Sequence, residues 1–169
     1  SDNNACDILL EYAGGPEAVE KYVRGLGIEN TFISASEKTM HDRIENQYLN
    51  RSTPTATARL IETFFENRLF ASKYKKFLIR IMTETSTGQD KLKGLLPPDC
   101  TVGHKTGSSD RTSTGVKIAD NDAGFVLTPD GKRYYIAVFV SDSQEDDPTN
   151  ASIIARISAI VYDFMIRPT

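Results

Sequence analysis

The chain has 169 residues, 39% of them hydrophobic and 25% charged, with a formal net charge of −3. That balance describes a globular polypeptide of one large domain or two small lobes, not a disordered or fibrous one. It offers no clustered basic face for nucleic acid, so no nucleic-acid partner is expected, and its uninterrupted apolar runs are too short to predict a membrane span.

The first half reads as helices. Ala5, Ile8, Leu9 and Tyr12 fall on one helical face, and Gly14-Gly15 supply the stop. Pro16 suits the first turn of a second helix carrying Val19, Tyr22, Val23 and Leu26. Residues 27–52 lose the periodicity and read as a long polar loop, a length that in a compact domain marks a functional segment. Helix signals return with Ser52 or Thr53 as cap, Pro54 early, and Leu60, Ile61, Phe64 and Phe65 facing a core. A fourth helix, capped near Ser72, carries Phe77, Leu78, Ile81 and Met82.

From Cys100 the period changes to that of strands. Residues 100–108, 122–128 and 133–143 each read as one, and Thr128-Pro129-Asp130-Gly131 is a strong hairpin signal between the last two. A closing helix follows, with Ile153, Ile154, Ile157, Ile160, Val161 and Phe164 on its apolar side. The order predicts an α+β fold: a helical lobe over residues 1–95, and an α/β lobe over 96–169 made of three antiparallel strands and the C-terminal helix. One helix cannot cover both faces and both edges of such a sheet, so a large exposed apolar surface is expected. Cys6 and Cys100 read as buried free thiols, and His41 and His104, the only histidines, form no metal-ligand spacing.

Two short motifs carry chemistry. Ser1-Asp2-Asn3 opens the first helix, where all three residue types also suit a cap. Lys105-Thr106-Gly107, followed by Ser108, lies on the first strand. A lysine and a hydroxyl one residue apart point to opposite faces of a strand, so both reach one ligand only where the strand borders a cleft. Gly107 would let that ligand approach the backbone.

Together the two triplets, one opening a helix and one on a strand, are two of the three signatures of active-serine penicillin-recognising enzymes. The chain resembles the class A serine β-lactamases, in the extended-spectrum branch with an enlarged active-site loop. The resemblance runs from residue 1 to the end, through SDNNACDILLEYAGGP, GIENT, MTETSTGQDKLKGLLP, HKTGSS and NDAGFVLTPDG.

The resemblance implies a β-lactam substrate, a serine acyl-enzyme, and no metal or organic cofactor. It implies that Glu37, in Ser36-Glu37-Lys38-Thr39-Met40-His41, activates the deacylating water; Glu45 is the alternative, beside Leu49-Asn50 but at the wrong spacing. His41 then helps to hold that water, or is an ordinary loop histidine. Ser1 relays a proton to the departing nitrogen, Asn3 binds the substrate amide, and Asp2 bonds local backbone. Lys105 acts on Ser1 and attracts the substrate carboxylate, which Thr106 and Ser108 bind beside Gly107. Lys91 stands where relatives of this branch have arginine, predicting a looser carboxylate clamp or a surface lysine without a role. The enlarged loop and Ser108-Ser109 suggest a site roomy enough for cephalosporins.

The third signature, Ser-x-x-Lys, has one literal match, Ser72-Lys73-Tyr74-Lys75, where the family keeps no chemistry. The nucleophile is therefore expected outside this chain, in an N-terminal part of the same enzyme that is its necessary partner, and this chain alone is expected to be inactive. The resemblance places the enzyme in the periplasm or outside the cell. Its rivals are a penicillin-binding transpeptidase or carboxypeptidase of the same fold, and a non-catalytic module.

Overall fold

The computed structural model describes residues 2–66 and 69–167. Helices α1 (Asn3–Tyr12) and α2 (Pro16–Gly25) lead into the loop, which closes on itself through two short antiparallel strands, β1 (Thr31–Phe32) and β2 (Arg51–Ser52). Between these strands lie α3 (Glu37–Asp42) and a 3-10 helix, Ile44–Tyr48, so the segment expected to be irregular holds local structure. Helices α4 (Pro54–Glu66) and α5 (Ser72–Thr83) follow. Thr53 Oγ1 caps α4 by accepting from Ala56 N–H at 3.2 Å. Ser72, expected as the cap of α5, is its first helical residue; the N-cap is Ala71, with no side-chain bond.

The sheet is β3 (Thr101–Ser108), β4 (Lys117–Leu127) and β5 (Arg133–Ser143), antiparallel in that order. The hairpin after β4 falls on the Thr-Pro-Asp-Gly turn, where Thr128 N–H donates to Lys132 O at 2.9 Å. β4 begins five residues before the expected strand, because the charged residues that disguise its start are paired. Lys117 meets Asp147 at 3.4 Å, and Asp120 meets Lys91.

One sheet face packs on the C-terminal helix α6 (Asp147–Ile166) in a core of Val102, Val126, Ile136, Val138, Ile154 and Leu92. On the opposite face Phe65 of α4 meets Phe125, with ring centroids 4.6 Å apart. Helix α6 is apolar on two sides. Ile154 and Ala155 are buried, whereas Ile160 and Phe164 are 68% and 70% exposed. By length and composition it is long and apolar enough to cross a membrane, a test that the core helix of a globular protein passes as well. Its buried side carries polar groups: Ser158 Oγ donates to Leu92 O at 2.8 Å and Ser143 Oγ to Asn150 Oδ1 at 2.7 Å, while Asn150 Nδ2 is buried without a partner among the described residues. Both cysteines are free; Cys100 is buried as expected, but Cys6 only half-buried.

Candidate active site

The loop is held by three side chains, one of its own and one from each of α1 and α2. Glu20 Oε2 accepts from Ile33 N–H at 2.7 Å. Asn50 Oδ1 accepts from Ser34 and Ala35 N–H at 2.9 and 3.0 Å, while its Nδ2 donates to Ala35 O at 2.8 Å. Asp7, on α1, accepts from the N–H groups of Glu37 and Lys38 at 2.7 and 3.0 Å. Ser36 caps α3, its Oγ accepting from Thr39 N–H at 3.1 Å. Glu37 thus opens a short helix whose start is fixed by one cap within the loop and a second from α1. Sequence reading missed Asp7, Glu20 and Asn50, although three polar side chains flanking a long loop were the available signal.

Glu45, the alternative base, lies in the 3-10 helix with its carboxylate largely exposed and Arg43 at 3.7 Å. His41 lies one helical turn beyond Glu37 and is exposed, with Nδ1 3.8 Å from Asp110 Oδ2. Asp110, just beyond the strand motif, also exchanges two bonds with the loop. Gln47 Nε2 donates to Asp110 Oδ2 at 2.9 Å, and Asp110 N–H donates to Gln47 Oε1 at 3.0 Å. The far end of the loop is thereby latched to the β3–β4 connection.

Strand β3 is an edge strand of the sheet. Lys105, Gly107 and Ser108 are exposed and Thr106 is half-buried, so the motif lies open along a rim. A Cβ on Gly107 would meet nothing closer than Asn121 Cβ at 3.9 Å, so packing within the chain does not require glycine there. Lys105 Nζ donates to Thr106 O. Thr106 Oγ1 donates to Thr87 Oγ1 at 3.2 Å.

The first motif is described from its second residue. Ser1 lies outside the described residues. Asp2 is the N-cap of α1, its Oδ1 accepting from Ala5 N–H at 2.9 Å, in keeping with its expected bond to local backbone. Asn3 is exposed on the first turn.

Cys6, one turn along α1, reports how these segments meet. Burial first, then the carboxylates of Glu37 and Asp7 and a hydrogen bond to Glu37, push its thiol pKa up, while Lys105 acts in the opposite direction. The loop carboxylate and the strand lysine thus act in opposite directions on one half-buried thiol of α1.

Lys91 is buried, not the idle surface lysine that was one of its two expected readings. Its ammonium donates to Asp120 Oδ1, with the two side chains 11% and 2% exposed. Asp120 and its neighbour Asp122 are charged residues within a strand, which made their burial unreadable from the sequence. Asp122 is buried against His104 Nδ1, at 2.8 Å from Oδ2, and Oδ2 also accepts from Leu92 N–H at 3.1 Å. Among the described residues no group of three or more His, Cys, Asp or Glu could hold a metal ion.

Between the loop neck and the sheet lies a cavity of about 620 Å³, walled by Phe32, Thr53, Ile118, Asn121 and Phe139 among others. The Asn121 Oδ1 in this wall is buried without a hydrogen-bond partner among the described residues.

Comparison with known proteins matches residues 1–165 to the β-lactamase enzyme family. A β-lactamase of Bacteroides uniformis is 55% identical over 166 residues, which are 98% of this chain and 56% of that protein. The extended-spectrum β-lactamase PER-1 of Pseudomonas aeruginosa is 40% identical over 99% of this chain and 54% of its own length. Among solved structures, a class A β-lactamase from Bacteroides cellulosilyticus superimposes with a TM-score of 0.93 at 58% identity, over 97% of this chain and 59% of that one. TLA-1 extended-spectrum β-lactamase gives 0.96 at 43% identity, over 98% and 60%. The chain thus spans a little over half the length of the relatives it matches. With its α+β fold, the chain belongs to the class A branch of the β-lactamase enzyme family.

Proposed function

We propose that the full-length protein hydrolyses β-lactam antibiotics through a serine acyl-enzyme, with the nucleophile contributed from outside these 169 residues. The observation that carries this reading is the bond of Asp7, on the helix opened by Ser-Asp-Asn, to the N–H groups of Glu37 and Lys38, which fixes the loop carboxylate against that helix. A serine ester has to be made and then broken, and water attacks it efficiently only when a carboxylate takes its proton. Glu37 is that base. Its position at the doubly capped start of α3 favours it over Glu45, which lies in the 3-10 helix beside Arg43.

Ser1 relays a proton to the departing nitrogen and Asn3 binds the substrate amide. Lys105 lowers the proton affinity of Ser1 and attracts the substrate carboxylate, which Thr106 and Ser108 bind. The Ser108 N–H supplies half of an oxyanion hole, and Gly107 leaves the strand surface clear for the ligand. His41, one turn beyond Glu37 on α3, helps to hold the water.

The rest of the enzyme is the partner of this chain. The cavity behind the loop neck, with its unpartnered Asn121 carbonyl, fits a polypeptide segment bearing the nucleophile. The exposed apolar side of α6 fits a second such segment. Residues 1–95 and 96–169 then complete a helical lobe and an α/β lobe, and the enzyme works outside the cytoplasm, where it meets its substrates.

Intact-mass measurement with benzylpenicillin tests the reading. The full-length protein is expected to turn the antibiotic over through an acyl adduct, and this chain alone to form none. A stable adduct on this chain alone, or no reaction with the full-length protein, would contradict it.

A further inference from the structure

Thr106 and Ser108 share their face of the sheet with a buried charge cluster. In the antiparallel register Ser108 stands opposite Asp120 and Thr106 opposite Asp122, and residues directly opposite lie on the same face. Lys91 approaches from the turn beneath. Gly88 makes that approach possible: its φ is +64°, and a Cβ there would fall 2.4 Å from Thr106 Cγ2 and 3.5 Å from Lys91 Cδ. Gly88 thus separates the lysine stem from the methyl of Thr106, on the face that also carries Ser108. The lysine ammonium is nevertheless turned inward to Asp120, and both groups are buried.

We propose that Asp120 is a specificity-determining residue that withholds the Lys91 charge from the substrate. This rests on the β-lactamase reading of the site. Beneath Thr106 and Ser108 one ammonium, from Lys91, faces two carboxylates, from Asp120 and Asp122, with His104 Nδ1 against Asp122. Paired with Asp120, Lys91 gives an arriving carboxylate little net attraction, because the two opposite charges are nearly coincident. The substrate anion is then held by Lys105, Thr106 and Ser108 alone. Removing the Asp120 charge would leave the ammonium uncompensated under the same hydroxyls and strengthen binding of an anionic ligand.

The test is steady-state hydrolysis by the full-length protein of benzylpenicillin and of its methyl ester, which lacks the negative charge. Asp120→Asn is expected to raise the acid-to-ester ratio of kcat/KM roughly three- to tenfold, the scale of one added charge near a partly solvated anion. The paired variant Lys91→Gln with Asp120→Asn, which keeps the side-chain shapes without charge, is expected to return the ratio to near the wild-type value. Where Asp120→Asn does not fold, Asp120→Ser carries the same expectation. An unchanged ratio in the single variant, or equal effects on acid and ester, would overturn the proposal, as would a double variant that keeps the gain. Failure of the wild-type protein to hydrolyse either compound would overturn the β-lactamase reading itself, and the proposal with it.

Discussion

Asp7 on α1 caps the helix that carries Glu37, its two carboxylate oxygens accepting the N–H groups of Glu37 and Lys38 at 2.7 and 3.0 Å. Two charge-assisted bonds at a helix start fix the backbone from which the Glu37 carboxylate projects. Asp7→Ala in the full-length protein is expected to lower kcat about ten- to hundredfold, the scale of a misplaced catalytic group. It should also cost about 1–2 kcal/mol of stability through the lost cap. Asp7→Asn, which keeps an acceptor, should recover much of both. Denaturant unfolding and turnover measured on the same samples check this.

Cys6 offers a chemical report of the same neighbourhood. Glu37 raises its thiol pKa and Lys105 lowers it. Alkylation of Cys6 by iodoacetamide, followed by peptide mass mapping to separate it from Cys100, should be faster in Glu37→Gln than in the wild type. It should be slower in Lys105→Met. Rates insensitive to both changes would mean that the three segments do not meet at this thiol.

Asn50 binds three backbone groups of Ser34 and Ala35. Asn50→Ala leaves both groups of the buried Ala35 without their partner and should destabilise the loop by about 2 kcal/mol. Hydrogen exchange should accelerate across residues 33–50 and stay unchanged across β3–β5.

Alkaline stability has an identifiable contributor in Tyr135. Burial, and then its hydrogen bond to Glu66, raise its phenol pKa from 10.0 to about 12. The folded chain keeps this proton at a pH where the unfolded chain has lost it. The associated stability is complete below pH 10 and is lost as pH rises through about 12. Tyr135→Phe should therefore be less stable near neutrality and lose stability less steeply over that window, read by denaturant unfolding at stepped pH.

The elements with unbroken periodicity were legible in the sequence: the paired helices before the loop, β5 at its observed bounds, and the hairpin turn. The start of β4 was not, because Lys117 and Asp120 have the look of a polar loop until their partners Asp147 and Lys91 are known. The burial of Lys91 was hidden for the same reason: a sequence gives its charge but not the carboxylate 29 positions away that pairs with it. The β1–β2 pair, two residues each, is set by loop closure rather than by pattern. Helix α6 read as having one apolar side because letters alone do not separate Ile154, packed on the sheet, from Ile160 and Phe164, left open. The motif residues were found by resemblance, whereas the side chains that hold the loop needed coordinates.

The most direct measurement is turnover and intact mass of the full-length protein carrying Glu37→Gln, mixed with benzylpenicillin. Loss of the general base should lower kcat by roughly a hundredfold or more while an acyl adduct accumulates, since acylation proceeds and only its hydrolysis is stalled. Turnover equal to that of the wild type, with no accumulating adduct, would contradict the role of Glu37 and the deacylation chemistry built on it.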